Sequence, residues 1–175
     1  NGDKGRSPVS PVSLSSQGIT DLSSSTIDVN INMNVRTPET PIPEFRGNPV
    51  TPDNPVNFNT DVKFKSSSSD FRDTDHTDKI LRDLIKTLKE YPQLKVLILG
   101  NFSNPTSGLT QDSSAQVNGS NGTVGQLQLE RARAVEKFLI NRGVNWRRIL
   151  VGNGEISPGG QNNMNSTFIL TNPNN

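Results

Sequence analysis

The chain has 175 residues, with 18 Lys and Arg against 17 Asp and Glu, a single His and no Cys. That balance gives no electrostatic case for nucleic acid or an anionic membrane, and the missing cysteine excludes disulfides, thiolate metal sites and a lipid carried on a cysteine of this chain. No apolar run reaches the roughly 18 residues of a membrane-spanning helix, and no signal peptide is visible at Asn1.

Residues 1–26 are rich in Ser, Pro and Gly, a linker composition with too little apolar surface to offset the entropy of ordering. From Ile27 to Val35 the pattern changes. Ile27, Val29, Ile31, Met33 and Val35 alternate with polar residues, the period-two signature of a strand. Its apolar face has three candidate partners: its own domain, another protein by strand addition, or a transmembrane barrel. Pro38, Pro41, Pro43, Pro49, Pro52 and Pro55 then impose an extended spacer. The sequence therefore divides into an extended N-terminal arm, 1–55, and a folded domain, 56–173.

Within the domain, Val62-Lys63-Phe64 reads as a short strand. From Asp73 or Thr74 to Glu90, the residues Ile80, Leu81, Leu84, Ile85 and Leu88 mark one helical face. Acids crowd its start and Lys86 and Lys89 its end, as the macrodipole favours, and Tyr91-Pro92 closes it. Leu94 to Gly100 is too uniformly apolar for an edge and is expected at the centre of the sheet. A long loop, Asn101 to Gly122, follows, with turn signals at Asn118-Gly119 and Asn121-Gly122. A second helix runs from Leu127 to Asn141-Arg142 and stops at Gly143, with positions 131, 134, 135, 138 and 139 on its inner side. Trp146 is expected to cap that helix end. Arg148 to Val151 reads as a strand, Gly152-Asn153-Gly154-Glu155 as a turn, and Thr167 to Thr171 as the last strand. Leu84, Leu88, Leu97, Ile98, Leu127, Val135, Phe138 and Ile149 are expected to share one core.

Arg131 is the anomaly on that inner helix face. A guanidinium beside a core seam either snorkels to water or finds a partner, because an unpaired buried charge costs several kcal/mol or more. Leu127, the Arg131-Ala132 pair, Val135, the stop at Gly143, the 148–151 strand and the Gly-x-Gly-Glu segment together resemble the C-terminal domain of the OmpA family, found also in peptidoglycan-associated lipoproteins and flagellar stator B subunits. The resemblance implies an α/β (α+β) two-layer sandwich, ordered strand, helix, strand, helix, strand, strand. It implies a periplasmic place in the cell envelope, tied to the outer or inner membrane. It also implies a ligand, the diaminopimelate of the peptidoglycan peptide stem, whose carboxylate is held by the arginine and whose amine is held by an aspartate after the second strand.

Arg131 matches the arginine of that site. The aspartate's place is taken by Ser103, within Gly100-Asn101-Phe102-Ser103, so a neutral hydroxyl stands opposite the amine. Gln128 replaces the usual serine, Val124 an asparagine, and Asn165-Ser166-Thr167 the usual Asn-Arg-Arg. Asp112, the one acid in the long loop, is a candidate replacement for the missing carboxylate. The candidate peptidoglycan-binding residues are thus Arg131, Ser103, Asn101 and Asp112. Asp73, Asp75, His76 and Asp78 could pass for metal ligands but lack the glycine and terminal glutamate of a calcium loop, and helix-start acids explain them. Glu155 reads as structural, no nucleophile and base are indicated, and no cofactor or metal is expected. Two functions follow: a non-catalytic structural or docking component of an outer-membrane or envelope assembly, with the 27–35 strand offered to a partner protein, or a peptidoglycan-binding cell-wall tether.

Overall fold

A computed structural model describes residues 41–158 and 166–173, so the 27–35 strand and Asn165 lie outside the described residues. The chain divides between Pro41 and Ile42, and every element below belongs to the second unit, Ile42–Asn175. This boundary falls earlier than the 55/56 boundary read from the prolines. Residues 42–55 carry β1 (Glu44–Phe45) and β2 (Asn48–Pro49), and they place Phe45 and Val50 in the core. Two large apolar side chains outweigh the proline signal.

Among the described residues the main sheet has four strands in the order β3-β8-β4-β7, where β3 is Val56–Asn59, β4 Lys95–Ser103, β7 Ile149–Ser157 and β8 Ser166–Thr171. β4 is central, as its apolar run requires: β8 pairs antiparallel on one side and β7 parallel on the other. A parallel pair needs a crossover, and α2 (Val124–Asn141) supplies it. Helix α1 (Thr74–Glu90) connects β3 to β4, and β8 lies between those two strands.

α1 forms as expected. Asp73 caps it, its carboxylate accepting from His76 N, and Leu81, Leu84 and Leu88 are buried on its inner face. The first sheet strand, by contrast, is β3 and not Val62-Lys63-Phe64. Val62 and Phe64 are both fully buried, but Phe64 makes only a single bridge, to Phe71, against which its ring stacks at 5.4 Å. Their alternation records burial without a ladder.

The 101–122 segment is not a plain loop. β4 continues through Ser103, and β5 (Ser114–Val117) and β6 (Ser120–Thr123) form a hairpin turned at Asn118-Gly119, both at positive φ, 51° and 87°. That is the Asn-Gly turn which matches strand twist. Asn121-Gly122 lies inside β6 and turns nothing. α2 begins at Val124, three residues before the reading at Leu127, because Thr123 and Gln126 form a reciprocal capping box. β7 runs straight through Gly152 to Glu155, read as a turn, and accommodates it by a register shift opposite Gly100 and Phe102.

The expected core divides in two. Leu84, Leu88, Ile98, Val135, Phe138 and Ile149 share the main cluster between helices and sheet, whereas Leu127 joins Phe102 and Val124 in a smaller one under the hairpin. Leu97 points to the other sheet face and is half-buried. Trp146 caps nothing: it is 61% exposed, in a 3-10 turn at Trp146–Arg148. Gly143, at φ +98°, and buried Val144 close the helix end instead. α2 lies directly on β4, since a Cβ on Gly100 would stand 1.8 Å from the Gln128 carbonyl oxygen.

Candidate functional site

The inner face of α2 carries Leu127, Gln128, Arg131, Ala132 and Val135, two of them polar. Gln128 bonds α2 to β7: Nε2 donates to the carbonyls of Gly154 (3.1 Å) and Glu155 (3.0 Å), and Oε1 accepts from Asn153 Nδ2 at 3.2 Å. A serine in its place is too short for all three.

One turn later Arg131 is 1% exposed, so it does not snorkel. Its Nε donates to Ser68 O at 2.8 Å, one terminal nitrogen to Asn101 O at 3.1 Å and the other to Lys65 O at 3.3 Å. The guanidinium also lies 5.4 Å from the Phe64 ring centroid. Burial pushes its pKa down to about 10, which leaves it charged at neutral pH. Helix, central strand and the 65–68 turn thus meet on one cation. The carbonyls are neutral, so their bonds stabilise the charge without cancelling it.

Arg131 and Ser103 share the wall of a cleft of about 330 Å³ with Ser66, Ser67, Thr106, Gln116 and others. Among the described residues no acid lines it. The hairpin forms one side of this cleft, and its tip reaches the 66–69 turn: Asn118 N donates to Ser67 O at 3.0 Å, Oδ1 accepts from Ser69 N at 2.8 Å and Nδ2 donates to Ser69 Oγ at 3.1 Å.

The other candidate residues lie differently. The Asn101 backbone carbonyl faces Arg131, but its side chain turns to the sheet, with Oδ1 accepting from Glu155 N at 3.0 Å and Nδ2 donating to Thr167 Oγ1 at 3.0 Å. Asp112 is exposed and outside the cleft lining. The acids near α1 serve as caps and pairs: His76 meets Asp61 at 2.9 Å, and Asp78 accepts from Arg82 and Arg142. Those bonds hold Asp78 below the ordinary carboxylate range. Among the described residues no three His, Cys, Asp or Glu side chains gather as metal ligands, and no helix is long and apolar enough to cross a membrane.

Sequence reasoning missed Arg148. Its guanidinium donates to the carbonyls of Leu88 (2.6 Å), Tyr91 (2.9 Å) and Leu94 (2.9 Å), closing the C-terminal end of α1 where a cation suits the dipole. Its place at the head of a strand gave no hint, because all three acceptors lie more than 50 residues away.

No protein-family model matches the chain, and no curated protein does either. Solved structures share its fold. The OmpA-like domain of FopA1 from Francisella tularensis matches with a TM-score of 0.50 at 16% identity, over 67% of this chain and 75% of that one. A putative MotB-like protein from Desulfovibrio vulgaris matches at 0.51 and 12% identity, over 67% and 74%. The fold is therefore the OmpA-like two-layer sandwich expected from the Arg131 helix and its sequel.

Proposed function

We propose that the chain is a non-catalytic periplasmic module that serves as a structural or docking component of an outer-membrane or cell-envelope assembly. The observation that carries this reading is the engagement of Arg131: its donors bond carbonyls at 65, 68 and 101 of its own domain. A ligand-holding arginine has to present those donors outward. Ser103 adds support, because an ammonium facing a neutral hydroxyl forfeits the opposite charge, and so the ion pair, that a carboxylate gives. The OmpA-like fold supports the envelope location, and the alternating sequence from Ile27 to Val35 has the pattern that strand addition to a partner's sheet calls for.

A peptidoglycan tether is the second reading. It is favoured by the cleft itself, in which Arg131 and Ser103 share one wall and a planar guanidinium is suited to a stem-peptide carboxylate. Co-sedimentation with purified peptidoglycan, with calorimetric titration of a diaminopimelate-containing muropeptide, separates the two. On the docking reading the wild-type chain stays in solution and Ser103→Asp gains measurable affinity. Tight wild-type binding that disappears in Arg131→Ala, with the fold intact, replaces docking by the tether.

A further inference from the structure

We propose that the β5–β6 hairpin is a latched strap over the Arg131 cleft, and that Asn118 is the latch whose release opens it. The two ends of the hairpin are held by different chemistry. Its root is fixed: Ala115 packs on Phe102, Val124 and Leu127, and the amides of Val124 and Gly125 bond back to Ser113 O and Gln111 O; Val117, directly before the turn, packs on the same cluster, so a lifting strap has to break that contact as well. Its tip is polar, attached to the 67–69 turn by the Asn118 backbone and carboxamide alone among the hydrogen bonds of the turn, and those groups are exposed to competing water. A firm root with a water-accessible tip is the arrangement in which local opening costs far less than unfolding.

Asn118 meets two demands at once. The turn needs a residue at φ 51°, which asparagine tolerates better than most, and the attachment needs an amide that both donates and accepts. The closed cleft also has a size problem. At about 330 Å³ it stands at the low end of small-molecule sites, so a branched peptide can seat only part of itself between these walls. A larger ligand requires the strap to lift, and Ser66 and Ser67 on one wall and Ser114 and Gln116 on the other then part.

The gate itself is independent of any ligand; only its use for a muropeptide rests on the tether reading above. The test exploits a chain without cysteine. Ser103→Cys places one thiol on the cleft wall, and its labelling by a small methanethiosulfonate reports access. Adding Asn118→Gly keeps the positive-φ turn and removes the carboxamide. Loss of the carboxamide's hydrogen bonds to Ser69 N and Oγ should speed labelling by about tenfold, with faster amide exchange confined to 66–69 and 114–119 and no change in α1. Equal labelling rates in the two proteins overturn the strap. A calorimetric titration of wild type and Asn118→Gly, both keeping Ser103, with a diaminopimelate-type muropeptide then separates the ideas: faster labelling with no binding by either protein upholds the strap and removes the tether, whereas equal labelling with equal, measurable binding removes the strap and upholds the tether.

Discussion

Replacing Arg131 by methionine tests whether the arginine is held for the fold or for a ligand. The substitution keeps most of the apolar stem and deletes three charge-assisted donors. Such bonds are worth about 1.5 to 3 kcal/mol each. Against them stands the cost of burying the cation: a pKa pushed down to about 10 corresponds to roughly 3 kcal/mol. The carbonyls of Lys65 and Ser68 lie on partly open segments and recover water, whereas that of Asn101 is buried and loses the guanidinium as a donor. The net loss is about 2 to 4 kcal/mol, which at roughly 4 °C per kcal/mol lowers the melting temperature by about 8 to 15 °C. Urea denaturation followed by circular dichroism gives the same quantity independently. Arg131→Lys should fall nearly as far, since one ammonium cannot serve three diverging carbonyls. A melting temperature unchanged or raised in Arg131→Met would refute the reasoning and mark the arginine as a residue kept at the expense of stability.

Two further substitutions probe what positions the cleft. Gly100→Ala should fail to give a stable domain, because its Cβ must displace the α2 backbone from 1.8 Å, beyond the roughly 1 to 3 kcal/mol of ordinary overpacking; a cooperative melt within 3 °C of wild type would show that α2 does not lie on β4 there. Arg148→Met should cost about 2 to 3 kcal/mol by uncovering the carbonyls of Leu88 in α1, Tyr91 at its cap and Leu94 beyond it, and amide exchange should rise first around Leu88 to Leu94. Uniform exchange across α1 would refute that placement.

The elements legible in the sequence are those whose signal is local. The α1 face, the central Leu94–Gly100 run and the stop at Gly143 each follow from spacing or composition within one segment. The start of α2 was legible too, in Thr123 and Gln126, but the apolar count from Leu127 obscured it. Val62 and Phe64 misled because burial, not pairing, sets their alternation, while Val56 and Phe58 were masked by the prolines around them. At the site, the place of Arg131 on the inner helix face was legible, but the choice between snorkelling and burial was not, nor were its acceptors at 65, 68 and 101, since backbone carbonyls carry no residue signature. Asp112 was proposed from charge alone, and position along the chain gave no measure of its distance from the cleft.

The place of β8 sets the order in which the domain can assemble. It is the last strand made, and it lies in the middle of the sheet, joining β3 to β4. Asn59 and Thr167, 108 residues apart, meet by a side-chain bond, and among the described residues β3 pairs with no other strand. Everything from Val56 to Ser157 can therefore gather only an incomplete sheet until the final residues of the domain arrive. Closing so long a loop slows folding and favours a single late, cooperative step. The emerging chain must travel with the flank of β4 open, exposed to whatever strand comes first.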